Sequence, residues 1–389
     1  MANYIWNYVY RSSQNLEFQE NIQKLHTKDC NLQITEYSDA IILPWRAGSY
    51  WGLGGIVDNR GEFVEGSKKT PQCEVASFFG GEYEYGFAEE NDNEVVYMGP
   101  FMHHWGHFLV DCLTRAWWLT NKLRDDLSNA KIIYLNIANK DIDGVYLELL
   151  ELLGVQENRI IRVTKPTKFR KVHLPDEAYI VGGYWTSDFK RIFTKITQEA
   201  FRRYEGEKYE KVFFSRGKWK LGRQKGEYGE NEIRVTFENN GFKVIYPEQL
   251  SVIEQIAIIY SANEIVCPMG TVAHAVALFG NNLKKLIISN KFYLHVPHQM
   301  YLNELLNAEI IYIDDYYSKT PGIYWVGLNK NLMCFLQDHD YIIPYSRTHL
   351  CFSYIINGIR YQIKRGMVPI YKKAARVRSW LLKRKHYGK

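Results

Sequence analysis

Glu264-Ile265-Val266-Cys267-Pro268-Met269-Gly270-Thr271-Val272-Ala273-His274 is the stretch on which the fold turns. An apolar strand runs into a turn of small residues and then directly into a helix, the joint of a parallel α/β unit. The alternation continues on both sides of it. Upstream are strands at Lys211–Ser215 and Lys243–Tyr246, with helices over about Glu230–Asn239 and Ser251–Ser261; downstream a helix from Val272 leads to a strand at Lys284–Ile288. Parallel strands need crossover helices, so the series predicts a doubly wound α/β half.

A second series precedes it. The pattern predicts a helix over about His104–Leu123, a strand at Lys131–Leu135, a helix near Val145–Leu153 and a strand at Arg159–Val163. A helical stretch over Thr186–Arg203 puts the junction of the halves near residues 185–210. The first hundred residues show short apolar runs such as Ala40-Ile41-Ile42-Leu43-Pro44, with turns at Asp58-Asn59-Arg60-Gly61 and Gly80-Gly81, and suggest β-rich decoration. The expected division is an acceptor-side α/β domain over 1–200, a Rossmann-like domain over 201–345 and a basic helical tail over 346–389. Two such halves leave a cleft between them, the usual ligand position where strand carboxyl ends face it.

The chain has 389 residues, 46% hydrophobic and 24% charged, so it can bury sizeable cores and is no disordered segment. Its 29 Tyr and 10 Trp suit amphipathic ligands such as carbohydrates. Six scattered cysteines without a CxxC pair suggest neither a disulfide framework nor a zinc ribbon, which fits a reducing compartment. The N-terminal residues lack the pattern of a signal peptide, and no 18-residue apolar window occurs. The net charge of +6 is uneven. From Tyr341 onward there are 12 Lys or Arg and no Asp or Glu, leaving 37 basic against 43 acidic residues before it, a net of −6. All of the positive excess lies in the tail, which points to a local anionic partner and not to a nucleic acid.

Chemistry concentrates in Tyr97-Met98-Gly99-Pro100-Phe101-Met102-His103-His104-Trp105-Gly106-His107-Phe108-Leu109-Val110-Asp111-Cys112-Leu113-Thr114-Arg115. On a helix His107, Asp111 and Arg115 share a face, and a carboxylate beside an imidazole sets the tautomer and basicity of a general base. The alternatives are a buried polar pair tying the helix to its surroundings, or zinc held by His103, His107 and Asp111. In the other half, Gly270 and Thr271 open a helix whose dipole favours an anion, and Arg216 and Arg223 follow a strand's carboxyl end, where their forks match a diphosphate without metal. Solvated loop arginines are the bland alternative. Asn231-Glu232 opens the next helix, where Glu232 either suits the dipole or meets a ribose or base.

These segments in their order resemble glycosyltransferase family 61. Trp105 to Arg115 is similar to that family's His-Phe/Trp-Leu…Leu-Pro-Arg signature, with Thr114 where Pro is frequent. Phe214-Ser215-Arg216, Asn231-Glu232, Gly241 to Glu248, Ser261 to Val266 and Gly270 follow in the family's order. Met269-Gly270-Thr271-Val272-Ala273-His274 replaces a His-Gly-Ala-Gly-Leu-Thr/Ser-Asn run. The resemblance implies a GT-B-like fold of two Rossmann-like domains facing a cleft, and inverting transfer from a nucleotide sugar with no metal and no cofactor. Either Asp111 or His107 is then the base and the other its orienter, His104, Trp105 and Arg115 are acceptor or orienting residues, and Arg216, Arg223, Asn231, Glu232, Gly270, Thr271 and His274 bind the donor, expected to be UDP-linked.

Gly366 to His386 places Met367, Ile370, Ala374, Val377, Trp380 and Leu381 at helical spacing among Lys and Arg, a basic amphipathic pattern suited to an anionic membrane surface through residues 366–389. A terminal helix packed on the body is the alternative. The expectation is a cytoplasmic enzyme, peripheral on the inner face of the membrane, acting on a capsular polysaccharide or lipid-linked oligosaccharide. A pyruvyltransferase-like enzyme or a non-catalytic assembly scaffold are the competing functions.

Overall fold

The computed structural model describes residues 9–10, 31–69, 78–120, 127, 129–181, 183–217, 226–290, 297–318 and 323–386, with backbone alone at 9–10, 297–298 and 368–386. Its first part comprises β1 (Val9–Tyr10), β2 (Ile34–Arg46), β3 (Leu53–Val57), β4 (Glu89–Phe101), α1 (Trp105–His107), β5 (Lys131–Asn136), α2 (Gly144–Leu152), β6 (Ile160–Arg162) and β7 (Thr167–Pro175). A small hairpin of β8 (Tyr179–Ile180) and β9 (Tyr184–Trp185) precedes α3 (Ser187–Arg203). Then come β10 (Lys211–Phe214), β11 (Gly226–Tyr228), α4 (Glu230–Asn239), β12 (Lys243–Ile245), α5 (Val252–Ser261), β13 (Glu264–Pro268), α6 (Thr271–Phe279) and β14 (Lys285–Ser289). The last elements are α7 (Pro297–Asn303), β15 (Glu309–Ile313), β16 (Ile323–Trp325), α8 (Lys330–Asp338) and α9 (Arg347–His386).

Two six-stranded sheets result. The first runs β3-β2-β7-β4-β5-β6, with β4 parallel to β5 and β7, β5 parallel to β6, and β2 antiparallel to both its neighbours. The second runs β1-β15-β14-β13-β10-β12 and is parallel throughout. Its apolar strands are buried on both faces, and the two-residue period divides each run between two cores. Val212, Phe214, Ile265, Cys267, Leu286 and Ile288 join Val96, Met98, Ile132 and Tyr134 of the first sheet in one central core. The intervening Phe213, Val266 and Ile287 pack outward under α4 and α8. In the first sheet the outward set is Val95, Tyr97, Ile133 and Leu135. Helix α3, capped by the Thr186 hydroxyl on the Phe189 N–H, lies in the central core through Phe189, Ile192, Phe193 and Ile196.

Two expectations are corrected. The β-rich start is no decoration, because β2 and β3 form one side of the first sheet and β4 is one of its inner strands. The helix expected over His104–Leu123 is broken into α1, a π-turn over Phe108–Cys112 and a 3-10 turn over Ala116–Thr120. The Thr114 hydroxyl lies 2.9 Å from Glu177 Oε1, and the Arg115 guanidinium donates to the carbonyls of Gly66, Lys68 and Pro175. These sideways bonds compete with continuation of the helix. Helix α9 runs over Arg347–His386.

Gly229 joins the N-terminus of α4 to the β11–β16 pair at φ +94°, and a Cβ there would lie 2.0 Å from the Val326 carbonyl oxygen. Backbone strain of about 1–3 kcal/mol adds to that clash. Gly229→Ala is therefore expected to lower stability by at least about 2 kcal/mol, read as a fall in the thermal unfolding midpoint; an unchanged midpoint would contradict the packing at this joint.

Candidate active site

Each sheet changes direction at one inner strand. In the second, the chain passes from β10 outward to β12 and then returns to β13 on the other side, so the β10–β13 boundary is a switch point. In the first, β5 and β6 lie on one side of β4 and β7 on the other, which makes the β4–β7 boundary the equivalent place. Crevices open beyond strand carboxyl ends at such boundaries. The two candidate motifs occupy these positions: α1 follows β4 directly, and Arg216 and Gly270 follow β10 and β13. They also meet. A Cβ on Gly106 would lie 3.1 Å from Thr271 Oγ1 and 3.6 Å from its Cγ2, so α1 sets its glycine against the Thr271 side chain in the first turn of α6.

A bulge between Tyr97 and Gly99, with Gly99 at φ +93°, bends β4 just before the chain leaves the sheet. His104 then takes an extended conformation as the cap of α1, its Nδ1 accepting the His107 N–H at 3.4 Å. His107 Nδ1 lies 2.9 Å from Asp111 Oδ2. Asp111 is 1% exposed and the His107 side chain 38% exposed, so the carboxylate is the inner partner and the imidazole the outer one. Beneath them Lys69 Nζ sits 3.9 Å from Asp111 Oδ1 and 2.7 Å from Glu177 Oε1. Two buried carboxylates thus lie against one buried ammonium, whose charge offsets part of the cost of burying them. Adjacent Cys112 is no nucleophile, since burial pushes its thiol up to about 12.

Aromatic rings surround the outer imidazole. Trp51 meets His107 edge-on at 5.1 Å and packs against Phe78, while the His104 ring lies 4.8 Å from His107. Trp105 instead leans on the core beside Tyr146, and Arg115 is buried on three backbone carbonyls, so neither shares the face of the dyad. His103 turns away to Asp143 at 3.2 Å, which separates it from His107 and Asp111. Among the described residues no three His, Cys, Asp or Glu side chains converge on a metal-sized site.

On the opposite side, the pairing of Phe213 with Val266 sets Ser215 and Arg216 beside Pro268–Gly270. The Arg216 N–H donates to Glu230 Oε1 at 3.0 Å, and its guanidinium lies 3.9 Å from Glu227. Gly270 has φ +122°, a conformation suited to glycine, and no side chain caps α6. One turn into α6, His274 Nδ1 lies 2.7 Å from Gln299 Oε1. The amide nitrogen of buried Gln299 donates to the Ala273 carbonyl and to Asn303 Oδ1, so its oxygen faces His274 and Nδ1 carries the proton. The proton-accepting nitrogen of His274 is then Nε2. Arg223 lies outside the described residues. Asn231 accepts from Arg234 on the exposed flank of α4, and Glu232 accepts from Ser353 of α9 at 2.6 Å, so both serve their helices rather than the crevice.

Lys69, Trp51, Glu177, Glu230 and Gln299 were not singled out by the sequence. Lys69 and Glu177 lie 108 residues apart and join only through the sheet, so no local spacing signals them. The same holds for Ser289 and Asp315, which close a recess of about 400 Å³ at the carboxyl ends of β13 and β14 together with Cys267, Glu227 and Glu230.

Asp315 is 2% exposed, and the Ser289 hydroxyl lies 2.7 Å from each of its oxygens. Burial pushes its carboxyl well above the usual aspartate range, with nearby Asp314 and Glu227 adding to the rise and the Ser289 bond opposing it. The folded chain therefore keeps a proton that the unfolded chain loses above about pH 4, and stability falls as pH rises from there. Asp315→Asn is expected to raise the unfolding midpoint at about pH 7 and to leave it unchanged near pH 4; an equal change at both would refute the buried acid.

No curated protein matches the chain. The family model described as Glycosyltransferase 61 matches residues 105–285, from α1 at the dyad to the start of β14, and so takes in both switch-point motifs. The chain thus carries its candidate active site within a segment that is similar to the glycosyltransferase 61 family.

Proposed function

We propose that the protein is an inverting glycosyltransferase of GT-B-like two-domain layout, moving a sugar from a nucleotide-sugar donor, UDP-linked, to a hydroxyl of a surface polysaccharide or lipid-linked oligosaccharide. The observation that carries this is the contact of Gly106 with Thr271, which sets a paired imidazole beside an uncapped helix start. His107 is the base, because Asp111 is too buried to meet an acceptor, and Asp111 orients it with Nδ1 protonated and Nε2 outward. The acceptor hydroxyl passes its proton to Nε2 as its oxygen bonds the anomeric carbon. The bond from that carbon to the donor phosphate breaks on the opposite face, and the nucleoside diphosphate leaves with the electron pair. Arg216 and the first N–H groups of α6 meet the charge of the leaving group without a metal, and His274 lies one turn further along. Trp51 and His104 give the acceptor sugar an aromatic wall.

The enzyme works at the cytoplasmic face of the cell membrane, held there in part by the basic segment 366–389, where lipid-linked acceptors are presented.

Calorimetric and thermal-shift titration with UDP, GDP, CMP and TDP, with and without EDTA, tests the donor site. One nucleotide is expected to raise the midpoint equally in both conditions, and Arg216→Ala to abolish the rise. No response to any nucleotide would overturn the donor assignment, and a response lost with EDTA would overturn metal independence. Asp111→Asn offers a donor N–H to His107 Nδ1 and so favours the wrong tautomer. It is expected to reduce turnover by about 10²–10⁴-fold while nucleotide binding persists; turnover within a few-fold of the parent would exclude the dyad.

A further inference from the structure

Helix α9 is amphipathic in the reverse of the ordinary sense along its first half. Its packed side holds Tyr361, 3% exposed and stacked on Trp325 at 5.9 Å, with Gly358 against the same indole and Ser353 on Glu232. Its outer side presents Phe352 at 63%, Ile355 at 54%, Ile356 at 44%, Ile359 at 55% and Ile363 at 60% exposure. These five recur at three- and four-residue steps, which keeps them on one face over about 16 Å of helix. A contiguous apolar face of that kind marks an interaction site.

Charge identifies the occupant. Arg347, Arg360 and Arg365 are exposed on the same helix, and the chain from Tyr341 to its end has 12 Lys or Arg and no acidic residue. A second copy seated on this face would bring two such arrays together with no carboxylate of either tail between them, whereas an anionic lipid surface offers both an apolar layer and the opposite charge. In the sequence the step continues through Met367, Ile370, Ala374, Val377 and Leu381, and the α9 backbone remains helical to His386. Among the described residues no helix is long and apolar enough to cross a membrane.

We propose that the Phe352–Ile363 face of α9 inserts into the interface of an anionic bilayer, with the basic side chains of the helix at the headgroups. The contact lies upstream of the tail segment 366–389 and is independent of the chemistry at the dyad. It fixes the helix lengthwise in the membrane plane, because the stripe runs along its axis.

Sedimentation of the full chain with vesicles tests it, using phosphatidylcholine alone and phosphatidylcholine with phosphatidylglycerol, at about 0.1 M and about 0.5 M salt. Binding is expected only to the anionic vesicles and weaker at the higher salt. The double variant Ile359→Glu/Ile363→Glu is expected to bind at least about tenfold more weakly, with thermal unfolding and nucleotide response unchanged because both residues are exposed. Equal binding by parent and variant, no binding by the parent, or a vesicle-free dimer of the parent that the variant abolishes would each overturn the proposal, the last in favour of a second copy. Vesicle binding is read without nucleotide, so failure here and failure of the donor site are separate results.

Discussion

The close approach of Gly106 to Thr271 is the constraint on which the rest of the arrangement depends. Each sheet alone offers only a crevice at its switch point, one with the His107–Asp111 pair and one with an anion-favouring helix start. A side chain at residue 106 would press on Thr271 Oγ1, 3.1 Å from its Cβ position, and the two crevices would have to give by a few tenths of an ångström. An unbroken helix from His104 would carry Thr114 and Arg115 past the carbonyls and the carboxylate they bind, whereas the π-turn lets the chain swing into the core immediately after Asp111. A π-turn widens the backbone and is often found at functional sites.

A buried carboxylate at such a place needs charge compensation that the local sequence does not supply. Lys69, from the loop after β3, reaches Asp111, and Glu177, from the segment after β7, reaches Lys69, because the sheet order sets β7 beside β4. Thr114 has a role here that proline could not fill, since its hydroxyl is within hydrogen-bond distance of Glu177. Arg115 fastens the loop carrying Lys69 by donating to the carbonyls of Gly66 and Lys68. The residue expected to orient an acceptor instead holds in place the cation that steadies the dyad.

What the sequence disclosed follows from how local each feature is. Strands β10, β12, β13 and β14 of the second sheet were legible because runs such as Ile265-Val266-Cys267 and Leu286-Ile287-Ile288 are buried on both faces and bounded by helices, whereas β15 and β1 were not read as strands. Glu230–Asn239 was legible from its own periodicity and has those bounds as α4. The His107–Asp111 pair was legible because a spacing of four survives the change from α- to π-turn, while Arg115, four residues further, was carried off by long-range bonds. β7 was missed because Lys168, Arg170 and Lys171 interrupt its pattern; they face Glu90 and Glu94 on β4, partners far away in sequence. Asn231 and Glu232 misled because a polar pair at a helix start looks the same whether it meets a ligand or a neighbouring helix.

That last ambiguity connects the two ends of the molecule. Within one turn of α4, Glu230 accepts the Arg216 N–H and Glu232 accepts the Ser353 hydroxyl of α9. The side chains are two residues apart, so they leave the helix in different directions, one toward the end of β10 and the other toward the C-terminal helix. Trp325 on β16 reinforces the second contact, with Tyr354 at 4.6 Å and Tyr361 at 5.9 Å, while β16 pairs with β11 directly before α4. The helix that presents the apolar stripe is therefore bonded to the same short element that holds Arg216 at the crevice of the second sheet. A surface that fixes α9 in a plane also fixes the direction of that crevice, because no flexible linker intervenes between Ser353, Glu232, Glu230 and Arg216.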